Sequence, residues 1–190
     1  PGTASGNTVT ISGGSVGAGS QLPESLLPEN GAYGGFTFRG DVTENRVFIS
    51  GGNVVGGVFG GRGSNGTVAG NSVSISGGSV VGSVYGGHST DGTATNNSVT
   101  ISGNPDLTAA SLFGGNTPAS AATDGNTLNI HGFQGSVQGI ADFQYYKLFL
   151  PASMHSGDTL LTLQTGPDLT GNTVRIGIEG VGTPLAVGDG

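Results

Sequence analysis

The chain has 190 residues and a formal net charge of −7, with five Lys and Arg in total and no Cys. Nucleic acids and anionic membrane surfaces are bound through basic footprints, so this composition sets both aside, and without Cys there is no disulfide framework, thiolate zinc site or thiol chemistry. Gly contributes 40 residues and charged residues only 9%. In an aperiodic chain that balance would read as disorder, but here Val, Ile and Leu recur at fixed offsets, which predicts an ordered domain.

In chain order, the first recurring phrase is Asn-x-(Val/Leu)-x-Ile. It begins at Asn7, Asn45, Asn71, Asn97, Asn126 and Asn172, at intervals of 38, 26, 26, 29 and 46. Twenty-six is the base unit, and the longer intervals read as that unit plus insertions. An aromatic followed by two glycines comes next in the unit: Tyr33-Gly34-Gly35, Phe59-Gly60-Gly61, Tyr85-Gly86-Gly87 and Phe113-Gly114-Gly115. A weaker third phrase precedes the following Asn: Asp41-Val42-Thr43, Thr67-Val68-Ala69 and Thr93-Ala94-Thr95.

Within the unit the period is two. Ser72-Val73-Ser74-Ile75-Ser76 alternates apolar and small polar side chains, as a strand with one buried face does. Short strands joined by Gly-rich corners cannot bury their inner faces alone, and stacking copies solves this. The predicted fold is therefore all-β, a right-handed parallel β-solenoid of about six coils with a 26-residue repeat. Residues 1–132 form the Gly-rich coils, and 133–190 form bulkier closing coils of the same continuous solenoid.

Like side chains should then form ladders. One holds Val9, Val47, Val73, Val99, Leu128 and Val174; the next holds Ile11, Ile49, Ile75, Ile101, Ile130 and Ile176. Tyr33, Phe59, Tyr85 and Phe113 form a third, expected inside because aromatics in register bury large areas. The Asn column reads as a hydrogen-bonded ladder along the solenoid, at a corner where Asn also tolerates left-handed backbone. The double glycines suit tight corners or close approach of backbone between coils.

Three stretches depart from the unit. Residues 19–32, GSQLPESLLPENGA, read as an excursion loop, a place where repeat proteins often put recognition. In residues 104–124, Asn104-Pro105-Asp106 replaces a Gly-Gly corner and PASAA from Pro118 lengthens the next. From Phe133 onward, Phe143, Tyr145, Tyr146, Phe149 and several Leu supply bulk, with Ser156-Gly157-Asp158 as a turn.

The search for chemistry assigns no catalytic, cofactor-binding or metal-ligating residue. His88, His131 and His155 are read as surface side chains, since their spacing fits no metal motif. Glycoside hydrolysis needs two carboxylates across a sugar; Asp41 and Asp91 are the pair considered, but the coil between them has Asn65. Uronate lyases need cationic neutralisation, which one Lys and four Arg supply poorly. The Gly-rich stretches lack the Lys-Ser/Thr of a phosphate loop.

The phrases GNTVTISGGSV, GNSVSISGGSVVGSVYGG and NNSVTISG resemble Gly-rich repeats in the passenger regions of bacterial autotransporter and adhesin-like proteins. KLFLPASMHSGDTLLTL and TGPDLTGNTVRIGIEGVG look like the passenger segment found shortly before a translocator barrel. The resemblance implies a surface-displayed or secreted stalk or adhesin of a Gram-negative-type bacterium, outer membrane-attached in the parent protein and directed at a host-surface protein or glycan. It implies that this chain is a piece of a longer passenger. The closing coils are expected to template folding of the coils before them, since repeat folding can propagate from a stable end, and neither direct membrane insertion nor a cofactor is expected. Two other functions stay open. One is a flat-face binder such as an ice-binding protein, with Thr8/Thr10, Ser72/Ser74, Ser98/Thr100 and Thr127/Asn129 on the outer face, interrupted by Arg46/Phe48 and Thr173/Arg175. The other is a carbohydrate-active β-helix enzyme.

Overall fold

The computed structural model describes residues 2–17, 30–116, 124–167 and 169–180, and the backbone of 185–186. Among these residues there is no helix, and the strands stack in parallel as a β-solenoid of about five turns, slightly fewer than six. Among the described residues, a short wall is made of Ala4–Ser5, Val42–Thr43, Thr67–Ala69 and Thr93–Thr95. Two longer walls stand beside it, and their parallel pairing crosses residues 132 and 133 without a break.

The first long wall is the Val/Ile wall. It stacks Thr8–Val16, Arg46–Val55, the first half of Ser72–Ser89, Ser98–Ser102, Thr127–His131, Tyr145–Leu150 and Thr173–Ile178. Register pairs Ile49 with Ile75 and Ile75 with Ile101, as the repeat predicts, and all three are buried. One correction applies to the ladders. Tyr146 stands between Leu128 and Val174, and Leu148 between Ile130 and Ile176. The interval of 46 therefore hides a whole extra rung, whose corner residue is Gln144 in place of Asn.

The second long wall, the aromatic wall, stacks Gly31–Tyr33 with Phe36–Thr37, Gly57–Gly63, the second half of Ser72–Ser89, Ala110–Asn116, Gly135–Ala141 and Leu161–Thr165. Its inward column is Ala32, Val58, Val84, Leu112 and Ile140, all buried. These residues and the Val/Ile column make the main core, while Val42, Val68 and Ala94 make a small second one with Ala4.

Parity along the chain is reset between the long walls. Strict alternation from Ile75 would turn Val80 outward. Gly77-Gly78 form a bulge, with a register shift and φ of 80° at Gly78. An extra residue of this kind exchanges the two faces. Val80 is thereby buried and Val81 is 44% exposed. In the next coil Asn104-Pro105-Asp106 takes this role: Asp106 bridges Ser79, and Leu107 enters the core. The Asp106 carboxylate accepts hydrogen bonds from the Thr108 hydroxyl (2.8 Å) and amide (3.2 Å), which lower its pKa.

The excursion loop lies outside the described residues over 18–29, but its predicted end was set too late: Gly31 and Ala32 already belong to the aromatic wall. Residues 117–123, including PASAA, also lie outside. The closing coils bury Phe133, Phe143 and Tyr146 as their bulk predicts, and the chain turns at Ser156-Gly157, where the Asp158 carboxylate accepts from the His155 amide at 2.7 Å. The last coil is less tightly packed than expected. Leu161–Thr165 and Thr173–Ile178 alternate mostly between half-buried and exposed, because among the described residues no further coil covers them. Leu185–Ala186 pairs antiparallel with Arg175 and Ile176, covering part of that sheet edge.

Candidate functional site

The Asn column is a hydrogen-bonded ladder of buried amides. Asn71 Oδ1 accepts from the backbone N–H of Asn45 (3.0 Å) and from its Nδ2 (3.0 Å). Asn71 Nδ2 donates to Val42 O (2.8 Å) and to Asn97 Oδ1 (3.1 Å), while its backbone N–H donates to the same Oδ1 (3.0 Å). The pattern repeats from Asn7 to Asn126. At the next rung Gln144, one methylene longer, accepts from Gly125 N–H at 2.7 Å. Left-handed backbone falls one residue before each ladder Asn, at Gly6, Glu44, Gly70, Asn96 and Gly125, rather than on the Asn itself. The Asn column is thus inward scaffolding with buried amides at Asn45, Asn71, Asn97 and Asn126.

The second glycine of each aromatic-Gly-Gly phrase belongs to this ladder. A Cβ on Gly61 would lie 2.6 Å from Asn71 Cγ, and Gly35, Gly87 and Gly115 face Asn45, Asn97 and Asn126 in the same way. None of these four has positive φ. The foreseen approach of backbone between coils falls on the first glycines, since a Cβ on Gly34, Gly60 or Gly86 would lie 2.3, 2.4 or 2.9 Å from a carbonyl oxygen of the next coil, whereas the second glycines make room for an Asn side chain, a role the sequence reading did not name.

The aromatic ladder is on the outer face, contrary to the sequence expectation. Val58 and Val84 point inward, so Phe59 and Tyr85, one residue later, point out. The rings of Tyr33, Phe59, Tyr85 and Phe113 stack nearly parallel with centroids 4.8, 4.9 and 4.9 Å apart. Phe59 is nonetheless fully covered by its neighbours. The Arg62 guanidinium lies 4.9 Å from its centroid, and His88 meets it edge-on at 5.8 Å. Arg62 also donates to Tyr33 Oη at 3.5 Å. His88, expected to point to solvent, is half-buried against Phe59 and Tyr85, because register places it beside Arg62 on this strip. His131 is on the outer face as expected, stacked on Phe149 at 4.5 Å, and His155 is exposed.

The ladder ends abruptly. The register partner of Phe113 in the next coil is Ala141. Below it opens a cleft of about 500 Å³ lined by Phe113, Gln138, Ala141, Asp142, Thr165 and Pro167, among others. Asp142 has φ of 61° and turns the chain toward buried Phe143. Partial burial raises its pKa, and burial followed by the Asp142 charge raises that of Tyr146.

A raised carboxylate pKa has a definite sign. Between the ordinary value of 3.8 and the folded value, the native state holds more protons than the unfolded one, so stability falls as pH rises through that window. Asp142→Asn removes the charge and tolerates the left-handed backbone. Because residue 142 keeps an exposed side, solvent screening limits the effect. The variant should be more stable by a few tenths of a kcal/mol at pH 7, with the difference vanishing in acid, checked by denaturant titration at several pH values.

Other candidate chemistry disperses. Val42 pairs with Val68 and Thr93 with Thr67, so Asp41 lies one residue and Asp91 two residues before its paired strand, and the two carboxylates occupy different columns. Asp41 instead accepts from Thr67 N–H at 2.9 Å. Among the described residues no three His, Asp or Glu gather as metal ligands, and no helix is long and apolar enough to cross a membrane. The outer hydroxyl rows are broken where Phe48 and Tyr145 stand in them, 40% and 37% exposed.

Fold and surface together define a parallel β-solenoid with an inward Asn ladder and an outward aromatic strip. No family model matches the chain, and comparison with curated proteins and with solved structures gives no match either.

Proposed function

We propose that this chain is a non-enzymatic structural segment, a stalk or adhesin portion of a surface-displayed or secreted passenger. The observation that carries this reading is that the repeated Asn and second-Gly positions are consumed in building the wall. Each ladder amide from Asn45 to Asn97 is spent on its neighbours above and below, and each second glycine makes room for one. A repeat that served a catalytic centre would instead leave polar groups free toward a pocket. The resemblance of the repeat phrases to autotransporter passengers gives the reading its cellular setting, with an outer-membrane translocator barrel as neighbour and a host-surface protein or glycan as partner. The absence of Cys suits export through an oxidising compartment.

Placed between a translocator barrel and an epitope tag, the chain should reach the cell surface in a protease-resistant state. Retention inside the cell, or turnover of polysaccharides by the purified chain, would remove the reading.

A further inference from the structure

We infer that the cleft below Phe113 is a binding subsite for a neutral hexopyranose unit of a glycan. The inference rests on the adhesin reading above and names its partner class. Along the aromatic ladder each ring is capped by the next at 4.8 to 4.9 Å. At Phe113 the series stops, and a methyl group, Ala141, occupies the following rung. Phe113 and Ala141 both line the cleft, whose volume of about 500 Å³ suits one or two sugar rings.

The lining chooses among occupants. An aromatic ring presents a negative face, which attracts the polarised C–H face of a pyranose. Around it stand Asp142, Gln138, Thr165 and Ser111. The carboxylate accepts hydroxyl hydrogen bonds, and the amide and hydroxyls both donate and accept. Gln138 Nε2 already donates to Thr108 O at 3.3 Å, which holds the amide and leaves its oxygen to accept. An aromatic side chain from a protein would satisfy the ring but leave these polar groups desolvated without partners, at a cost. Acidic sugars are disfavoured by Asp142 and by the net charge of −7, since neither Lys nor Arg is among the described lining residues. Asp142 is also the single carboxylate among them, where hydrolysis uses a pair. The cleft therefore retains a sugar without cleaving it.

The test uses the whole chain with cello-, malto-, manno- and galacto-hexaose as probes, read by saturation-transfer NMR. At least one should bind. Phe113→Leu should weaken that binding roughly tenfold, as loss of one ring contact does. Ala141→Phe supplies the missing rung, so it should abolish the signal while leaving the melting temperature unchanged or higher. Absence of binding to all four probes, binding that survives Ala141→Phe, or a preference for an aromatic peptide that Ala141→Phe blocks, overturns the inference. Absence of binding leaves the stalk reading standing. Shortening of a hexaose on incubation overturns both, and so separates the two failures.

Discussion

Asn71→Ala should destabilise the protein by about 4 kcal/mol, at the upper end for a single substitution. The side chain accepts two hydrogen bonds from Asn45 and donates one to Val42 O and one to Asn97 Oδ1, and it is 1% exposed. Truncation leaves the Asn45 amides and the Val42 carbonyl buried without partners. Each such group costs about 1–3 kcal/mol. A carboxylate is no substitute. Asn71→Asp keeps the shape but turns a donor into an acceptor facing Val42 O and Asn97 Oδ1, and it buries a charge. The end rung gives the control. Asn7 is exposed, so water replaces what Asn7→Ala removes, and the loss there should stay under about 1 kcal/mol. Denaturant unfolding measures the global term. Amide hydrogen exchange at Asn45 measures the local one, which matters because repeat arrays can unfold in parts. Equal effects at Asn7 and Asn71 would show that the ladder does not stabilise the coils.

Gly61→Ala should cost about 2–3 kcal/mol, and the cost should vanish when Asn71 is also Ala. The new Cβ would sit 2.6 Å from Asn71 Cγ and 2.7 Å from its Nδ2 and Oδ1. That amide is held by four hydrogen bonds to Asn45, Val42 and Asn97 and cannot yield without breaking them. The backbone at Gly61 is not left-handed, so Ala is conformationally acceptable and the penalty is overpacking alone, ordinarily about 1–3 kcal/mol. In the Asn71→Ala background the side chain that would collide is gone. The double variant should therefore be no less stable than Asn71→Ala by itself, giving a coupling of about 2 kcal/mol between positions ten apart in sequence. Additive losses would mean that Gly61 is required for backbone reasons, as a corner glycine would be.

This pairing shows where sequence reading succeeds and where it stops. The Asn and the double glycine were both visible as periodic phrases, but nothing in their spacing says that one is the space for the other. The aromatic ladder failed for a related reason. Its register was legible, its face was not, because the Gly77-Gly78 bulge and the Gly82 corner, with φ of 135°, intervene between Ile75 and Tyr85. Counting by twos is safe within a strand and meaningless across a bulge.

By itself, then, the amino-acid order determined the 26-residue winding, the parallel stacking, the Val and Ile columns and the stacked Asn amides. Each of these depends on a residue type recurring at an interval, and recurrence is a property of the string. Tertiary structure decided which way the aromatic rings face, that Gln144 heads a hidden rung, and that the ladder ends over Ala141 beside Asp142. Those outcomes depend on backbone geometry between the repeats and on residues brought together from coils 28 positions apart, as Phe113 and Ala141 are. The physical reason is that covalent order conveys spacing, whereas facing and juxtaposition arise only when the coil closes.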